Sequence, residues 1–343
     1  TAFCRRYRFD HMEIDREHAE DVTTAALCTR GLAREDARTT AAVLVAADAC
    51  GKHSHGLLRL PRVVRGIEAG NVDSTGDIAV VADGGAAATL SGGARPGPVV
   101  ALEATAEATA RAGEYGVGAV GVRDSNHLGM LGYYTDRVRR EGYVCVAMTN
   151  TEPAMPPHGG AQPVLGTNPL AVGLPTDPPF NLDMSTAAIS RGAVLRAREN
   201  GEELPAGVAL DADGAPTTDP AAALGGTILP FGGAKGSGLA IAVEVLAGAL
   251  VGAATGTDVT GTYHTEDPCT KGDLFVVFDP GSFGVEAFPA AASDFLADLK
   301  RGERAADAEE IRLPGERSAQ SMQAAETVTV DESVWEEVRS LAD

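Results

Sequence analysis

Two histidines lie in short motifs that could support acid–base chemistry. His127 stands in segment 123–129 (RDSNHLG), directly after an apolar run, and His55 follows Ser54 with Arg59 four positions later. An imidazole with a pKa near neutrality can give or take a proton, and a guanidinium group can bind a carboxylate through two parallel hydrogen bonds. An isolated histidine more often has a capping or hydrogen-bonding role, so each motif needs support from the others.

Glycine-rich polar segments form a second group of candidates. They occupy positions 149–151 (TNT), 165–169 (LGTNP), 182–185 (LDMS) and 230–236 (PFGGAKG), each at the edge of a strand or helix pattern. Such loops present backbone N–H groups and small hydroxyls, which suit an anionic, hydrogen-bonding ligand such as a dinucleotide. Lys235 is one of four lysines in a chain that otherwise uses arginine. We therefore expect it to contact phosphate, ribose or substrate.

Several familiar motifs lack the context that they need. Segment 116–121 matches GxGxxG, but a helical pattern precedes it and a β-prone run coincides with it, which is wrong for a Rossmann turn. Segment 232–238 lacks the Ser or Thr that follows the lysine of a P-loop. Residues 211–214 begin like a calcium loop without its later ligands, and residues 53–55 (HSH) offer two imidazoles without a third ligand. We therefore expect no metal site.

The composition excludes other classes of protein. Of the 343 residues 44% are hydrophobic, enough to bury a core. The formal net charge of −20 disfavours nucleic acids and anionic membranes as partners. No run of about 18 apolar residues is expected to span a bilayer, and no apolar leader follows the N-terminal arginines. The five scattered cysteines are expected to be reduced thiols. Together these features predict a cytoplasmic protein without a membrane partner.

The spacing of apolar residues predicts the elements that must position these motifs. Helices are predicted over 15–30 and 34–50, with Gly51 as the C-cap of the second. Ser54 is predicted to cap a third helix whose first turn carries His55 and Arg59. The predicted strands are 78–81, 87–90, 118–122, 143–149, 170–174, 180–184 and 274–278. The later predicted helices are 99–112, 133–141, 191–199, 238–251, 291–300 and 333–341.

Taken together, the motifs resemble the type-2 malate/L-lactate dehydrogenase family, which also includes ureidoglycolate and L-sulfolactate dehydrogenases, diketogulonate reductase and a piperideine-carboxylate reductase. The matching segments, in the order of the family, are 54–56 (SHG) with Arg59 and Pro61, 125–127 (SNH) with Gly129, 166–169 (GTNP), 182–184 (LDM), 229–233 (LPFGG) with Lys235 and Gly236, and 313–317 (LPGER). The resemblance extends from about residue 15 to 320.

The resemblance implies an α/β (α+β) fold that is not a Rossmann fold, with a discontinuous helical domain and a mixed-sheet α/β domain. It places the first helical part at 1–75, the α/β domain at 76–190, a second helical part at 191–255, a return to the α/β domain at 256–290 and a C-terminal helical part at 291–343. It further implies a homodimer that uses NAD or NADP to transfer hydride between the cofactor and a small 2-hydroxy or 2-oxo acid.

The resemblance also implies roles for individual residues. His55 and His127 are alternative proton-transfer groups, and Arg59 would bind the substrate carboxylate. The implied cofactor contacts are Thr151, Asp183, Met184, Ser185, Lys235, Gly315, Glu316 and Arg317. The implied substrate contacts are Ser54, Arg59, Asn126, Thr167 and Asn168.

The chain departs from the family pattern around the expected site. His53 stands where an acidic residue is usual, His158 and Ala234 replace common aromatic residues, and Ala193 replaces a common lysine or other polar residue. These changes leave the substrate open. One alternative is a reductase of a cyclic imino acid, in which the same group protonates nitrogen. Others are a catalytically silent ligand-binding homologue and a metallohydrolase that uses residues 53–55.

Overall fold

The computed structural model describes residues 11–263, 267–285 and 287–342. Residues 1–10, with Cys4 and the N-terminal arginines, lie outside the described residues. The helices are α1 (Arg16–Cys28), α2 (Arg34–Ala49), α3 (Leu60–Glu68), α4 (Gly97–Tyr115), α5 (Leu131–Arg140), α6 (Arg191–Asn200), α7 (Pro220–Gly225), α8 (Ala234–Ala247), α9 (Phe288–Arg301), α10 (Glu316–Ala324) and α11 (Glu332–Ala342). The strands are β1 (His11–Asp15), β2 (Ala79–Asp83), β3 (Ala87–Ser91), β4 (Val117–Arg123), β5 (Val144–Thr149), β6 (Leu170–Leu174), β7 (Phe180–Met184), β8 (Ala209–Leu210), β9 (Thr227–Ile228), β10 (Asp273–Phe278) and β11 (Thr327–Asp331).

A helical unit joins both halves of the chain. Helices α1 and α2 pack against each other, α11 returns onto α1, and β1 pairs antiparallel with β11. Asp15 caps α1, since its carboxylate accepts the N–H of His18 at 2.8 Å. Residues from both halves share the core of this unit, including Leu27, Leu44 and Trp335. Neither half therefore forms this core by itself.

A seven-stranded mixed sheet forms the centre of the second unit. Its strand order is β2-β3-β4-β10-β5-β6-β7, and only β3 and β4 run parallel among these neighbours. Helices α4 and α5 cover one side, where the rings of Tyr134 and Phe275 meet edge to face with centroids 6.2 Å apart. The mixed sheet with its covering helices confirms the predicted mixed α/β class. It also agrees with the prediction that the fold is not a Rossmann fold, whose sheet is mostly parallel.

The GxGxxG segment has the structural role that its context predicts. Gly116 ends α4 in the left-handed region, with φ of +83°, and β4 begins at Val117. Its glycines thus belong to a helix end and a strand, and they do not form a phosphate-binding turn. Gly51 is likewise left-handed just after α2, with φ of +69°, as predicted for a residue that ends a helix.

The prediction that Ser54 caps a third helix is wrong. Residues His53–His55 and Leu57–Arg59 form two successive 3₁₀-helical turns, and α3 begins only at Leu60. Gly56, with ψ of −148°, separates the two turns, so no helix runs through the motif. Pro61 lies in the first turn of α3, where its missing N–H leaves no hydrogen bond unmade.

Residues 191–251 follow β7, an edge strand of the large sheet, and form a further group of elements. Helices α6 and α7 pack together, α7 lies beside the short antiparallel pair β8–β9, and these elements share a small core. Helix α8 packs against β5 and β10 of the large sheet. The chain divisions at residues 75, 190, 255 and 290 stay predictions.

The expectation that no segment could span a bilayer needs correction. Residues Ala234–Val251 are long and apolar enough by composition, with a mean hydropathy of 1.6. In the structure 44% of this stretch is buried inside the protein, and Glu244 within it makes buried hydrogen bonds. These are features of a helix packed on a protein core. One such segment is weak evidence for a membrane span.

Short elements formed by long-range contacts escaped the prediction. They are β1, β8, β9, β11, α7 and α10. Strand β11 has the sequence TVTVD with alternating burial, and it is stabilised by pairing with β1 more than 300 residues earlier. The thiols of Cys28, Cys50, Cys145 and Cys269 are free, as expected.

Candidate functional site

A buried carboxylate organises the SHG motif. Asp48, near the end of α2, is 4% exposed. Its Oδ2 accepts the N–H of Leu57 at 2.7 Å, and its Oδ1 lies 2.9 Å from His53 Nδ1. A Cβ on Gly56 would lie 2.3 Å from this carboxylate, so the motif requires glycine. His53, which departs from the family pattern, is thus a partner of Asp48.

The structure brings the two predicted histidines together. The ring centroids of His55 and His127 are 5.7 Å apart, with an angle of 30° between the planes. His127 lies in the loop between β4 and α5, and its Nδ1 accepts the N–H of Gly129 at 3.1 Å. Because Nδ1 accepts, a neutral His127 carries its proton on Nε2. Ser54 Oγ lies 3.0 Å from His55 Nδ1.

Both imidazoles are neutral at physiological pH. The pKa of His55 is lowered to about 4, chiefly by burial; the positive charges of Arg59 and Lys52 contribute to the lowering, and the Asp183 carboxylate opposes it. Burial also holds the pKa of His127 well below 6.5, assisted by Arg59 and other cations. Neutral imidazoles are the form that can accept a proton.

Arg59 faces the same space as the histidines. Its Nε donates to the carbonyl of Ser54 at 2.6 Å, and its guanidinium carbon lies 5.8 Å from the ring centroid of Tyr263. Burial lowers the pKa of Arg59 to about 10, so the group stays charged at neutral pH. Arg191, the first residue of α6, lies 5.2 Å from the same centroid.

Asp183, an expected cofactor contact, already has partners in the protein. Its Oδ2 lies 2.6 Å from the Nζ of Lys52 and accepts the N–H of Gly132 at 3.0 Å. Lys52 lies two residues before Ser54 of the SHG motif, and its carbonyl accepts the N–H of His55 at 2.8 Å. Met184 and Ser185 follow Asp183 at the end of β7, and both are half-buried.

A hydrogen-bond network holds Thr151 and Thr167, the expected cofactor and substrate contacts, in place. Thr151 Oγ1 accepts the N–H of Thr167 at 3.0 Å, and Asn168 Oδ1 accepts the N–H of Thr151 at 3.2 Å. The buried Glu244 accepts from Asn168 Nδ2 at 2.6 Å and from Asn150 Nδ2 at 3.0 Å. Asn168 thus holds this turn in place, and its polar atoms are satisfied within the protein.

Asn126 is also engaged by the protein. Its Nδ2 donates to the carbonyls of Ala94 at 2.7 Å and Arg95 at 3.2 Å, and the side chain is buried. This contact fixes the loop that carries His127 to the start of α4. Only the Oδ1 of Asn126 therefore remains for a substrate.

The turn at Gly315 lies beside β7. Gly315 has φ of +79°, and a Cβ there would lie 2.1 Å from the carbonyl oxygen of Asn181. Glu316 pairs with Lys300, while Arg317 is exposed and lies 3.8 Å from Glu310. The residues of this turn line a cavity of about 320 Å³, together with Arg312. Glu310 and Glu316 line the same cavity and Arg312 also pairs with Glu310, so the charges of the lining balance.

Lys235 takes part in none of the hydrogen bonds or ion pairs described above. It is exposed in the first turn of α8, and within the described residues it makes no hydrogen bond or ion pair with either histidine or with Arg59. Its loop contacts the 157–160 segment, since the N–H of His158 donates to Ser237 Oγ at 2.9 Å. Among the described residues no group of three or more His, Cys, Asp or Glu side chains could hold a metal ion.

Sequence reasoning missed several residues of this site. Three of them belong to no recognisable motif: Lys52, Asp48 and Tyr263. The rarity of lysine, with four in the chain, was the only sequence signal for Lys52. Glu244 had a usable signal, because it is the one acid within the apolar α8. Such an acid in an apolar helix indicates a buried hydrogen-bonding role.

The comparisons with known proteins agree with this geometry. A sequence model of the malate/L-lactate dehydrogenase family matches residues 14–339. The chain belongs to this family. It is 39% identical to the malate/(S)-sulfolactate dehydrogenase of Methanothermus fervidus over 336 residues, covering 97% of this chain and 98% of the relative. It is 36% identical to the (2R)-3-sulfolactate dehydrogenase (NADP(+)) of Chromohalobacter salexigens, covering 96% and 98%.

The fold comparison gives the same result. The structure of the sulfolactate dehydrogenase from Methanocaldococcus jannaschii superposes with a TM-score of 0.92 at 39% identity, covering 96% of each chain. Relatives named for NAD(+) and for NADP(+) both occur among the matches. The expectation of an oxidoreductase that uses NAD or NADP is therefore confirmed.

Proposed function

We propose that this member of the family transfers hydride between NAD(P) and a small 2-hydroxy acid or 2-oxo acid, with His55 and His127 at the reacting carbon. The observation that carries this proposal is the close approach of two neutral imidazoles beside a charged guanidinium group. When bound, the nicotinamide ring supplies the hydride acceptor or donor. Arg59 binds the substrate carboxylate and fixes the position of C2.

The hydrogen bonds suggest different roles for the two histidines. If His55 donates Nδ1–H to Ser54 Oγ, its Nε2 lone pair is free to take the hydroxyl proton during oxidation. His127 carries its proton on Nε2 and donates a hydrogen bond to the substrate oxygen. In the reductive direction protonated His55 returns the proton. The substrate carboxylate partly cancels the charge of Arg59, which raises the pKa of His55 toward the working pH.

The cofactor is proposed to lie between the Thr151–Thr167 turn and the Gly315 turn. The supporting observation is the cavity of about 320 Å³ at the Gly315 turn, whose lining includes Arg312, Arg317, Glu310 and Glu316. The end of β7 links the two sides of this proposed site. Asp183 pairs with Lys52 near the SHG motif, and the N–H of Asn181 on the same strand donates to the carbonyl of Pro314 beside Gly315. Met184 and Ser185 follow Asp183 there. Glu316 would position this turn through Lys300, and Lys235 would contact the cofactor from α8.

A substrate panel tests the proposed reaction. Purified protein is assayed with NAD and NADP against malate, lactate, sulfolactate and ureidoglycolate, and in reverse against 2-oxo acids and cyclic imino acids. We expect turnover of a 2-hydroxy acid. His55→Ala should lower kcat by about 100- to 10,000-fold, the usual contribution of general acid–base catalysis, whereas His127→Ala should also raise KM. His18→Gln, an exposed histidine on α1, is the control. Parental kcat/KM in both active-site variants would contradict the mechanism.

We also propose that the protein is a cytoplasmic homodimer. The outer face of α8 and the following turn exposes four apolar side chains, Ile241, Val245, Leu246 and Leu250, of which Leu250 is 64% exposed. Such a contiguous apolar face is typical of a subunit interface, and the family resemblance implies that its occupant is a second copy. Light scattering should give a dimer mass without detergent. Val245→Glu with Leu250→Glu should give a monomer, while Phe295→Glu on α9 should not.

A further inference from the structure

Two guanidinium groups from distant parts of the chain lie over one aromatic ring. The guanidinium carbon of Arg59 is 5.8 Å from the Tyr263 centroid, and that of Arg191 is 5.2 Å from it. Arg59 belongs to the turn after the SHG motif, and Arg191 begins α6. Two cations on one ring repel each other, so the arrangement favours an anion beside them.

Neither guanidinium has a carboxylate partner in the part of the chain that the structure describes. The chain has 48 acidic residues against 28 basic ones. Even so, within residues 11–263, 267–285 and 287–342 no Asp or Glu oxygen lies within ion-pair distance of Arg59 or Arg191. Arg59 makes its side-chain hydrogen bond to the carbonyl of Ser54 instead. The positive charge of this pair is therefore available to a ligand.

The start of α6 is fixed against the SHG turn. Ser190 caps the helix by accepting the N–H of Ala193 at 3.1 Å. A Cβ on Gly192 would lie 3.6 Å from the Cβ of Ser54, so the two backbones are in near contact there. Arg191 therefore extends from a defined point at the edge of the space that His55 and Arg59 share.

We propose that Arg191 is a specificity-determining residue that binds a second anionic group of the substrate. This inference rests on the proposed function, in which Arg59 binds the carboxylate next to the reacting carbon. The substrate class is then a short 2-hydroxy acid with a further carboxylate or sulfonate at its other end. Such a dianion satisfies both guanidinium groups, whereas lactate leaves Arg191 without a partner.

Kinetics of charge variants test the assignment. Wild type, Arg191→Gln and Arg191→Lys are assayed with malate, sulfolactate and lactate in the presence of saturating cofactor. Arg191→Gln should lower the malate-to-lactate ratio of kcat/KM by about 10- to 100-fold, the range expected for one charge-assisted hydrogen-bonded contact. The loss should appear mainly in KM. Arg191→Lys should recover part of it, because it keeps the charge without the planar fork. Comparison of malate with sulfolactate identifies the second group.

A matched control removes the same charge from the same helix. Arg198→Gln, in the exposed last turn of α6, should leave the ratio at its wild-type value. The inference is overturned if Arg191→Gln keeps the wild-type ratio, if wild type prefers lactate to both dianions, or if the variant raises only the KM of the oxidised cofactor, NAD or NADP. Wild type that oxidises no 2-hydroxy acid with either cofactor would instead overturn the proposed function.

Discussion

Lys52 Nζ lies 2.6 Å from Asp183 Oδ2, and this ion pair joins the helical unit to the end of β7. The same carboxylate oxygen accepts the N–H of Gly132, which lies in the first turn of α5, after the loop that carries the SNH motif. The carbonyl of Lys52 accepts the N–H of His55. The Lys52–Asp183 pair is therefore hydrogen-bonded both to the SHG motif, through His55, and to the start of α5, through Gly132.

Lys52→Gln should shift the pH dependence of catalysis. Lys52 lowers the pKa of His55, and Asp183 raises it. Removal of the ammonium group leaves the Asp183 carboxylate unpaired beside the imidazole, so the pKa of His55 should rise above about 4. The acid limb of the kcat/KM profile for a 2-hydroxy acid should then move to higher pH. Lys52→Arg, which keeps the charge, should retain the wild-type limb. An unmoved limb in Lys52→Gln would show that His55 does not titrate there.

The stability of the protein should fall as the pH drops from 6.5 towards 4. The folded-state pKa of His55 is lowered from 6.5 to about 4, and that of His127 is also lowered. In this range the unfolded chain binds protons that the folded protein excludes, so stability is fully present above pH 6.5 and is lost on acidification. Thermal unfolding across this range should show the slope. The double variant His55→Asn, His127→Asn should flatten it, and His18→Asn should not.

Glu244 should be essential to stability although it lies in an apolar helix. It accepts hydrogen bonds from Asn150 Nδ2, Asn168 Nδ2 and the N–H of Gly256. Glu244→Ala removes one acceptor from each of these groups, at about 1–3 kcal/mol for each unsatisfied N–H, although the amide nitrogens of Asn150 and Asn168 keep their bonds to the carbonyls of Ala254 and Ala240. Urea unfolding should therefore show a loss of at least about 2 kcal/mol. Exposed Glu199→Ala on α6 is the control. Equal midpoints for the two variants would contradict the role of the hydrogen-bond network.

Gly315→Ala should weaken cofactor binding. The residue has φ of +79°, and its new Cβ would lie 2.1 Å from the carbonyl oxygen of Asn181. The backbone strain alone is about 1–3 kcal/mol, and relief of the clash moves the turn that lines the cavity. Fluorescence titration with NADH and NADPH should show the loss of affinity. Gly225→Ala, whose Cβ meets nothing within 4 Å, should bind both normally. Normal binding by Gly315→Ala would remove this turn from the cofactor site.

Local sequence predicted much of the sheet and the central helices. Strands β6 and β7 lie at the predicted positions, because short apolar runs between turn residues are a local signal. The family resemblance assigned His55 and His127 as alternatives for one proton-transfer role, which implied that both lie at one site. Spacing alone could not supply it.

The remaining contacts depend on long-range packing. Tyr263 meets Arg59 across more than 200 residues, and β1 meets β11 across more than 300. Asn126 and Asn168 were expected to bind substrate, but their amide nitrogens donate to protein carbonyls and to Glu244. A buried amide has the same local sequence whether its partner is a ligand or the protein, so spacing could not distinguish the two.

The pairing of β1 with β11 has a consequence for the order of events during synthesis. Residues 11–15 leave the ribosome more than 300 residues before their partners at 327–331. The seven-stranded sheet, whose strands all lie between residues 79 and 278, can assemble while translation continues. The helical unit can close only after β11 and α11, which pack with β1 and α1, have also emerged.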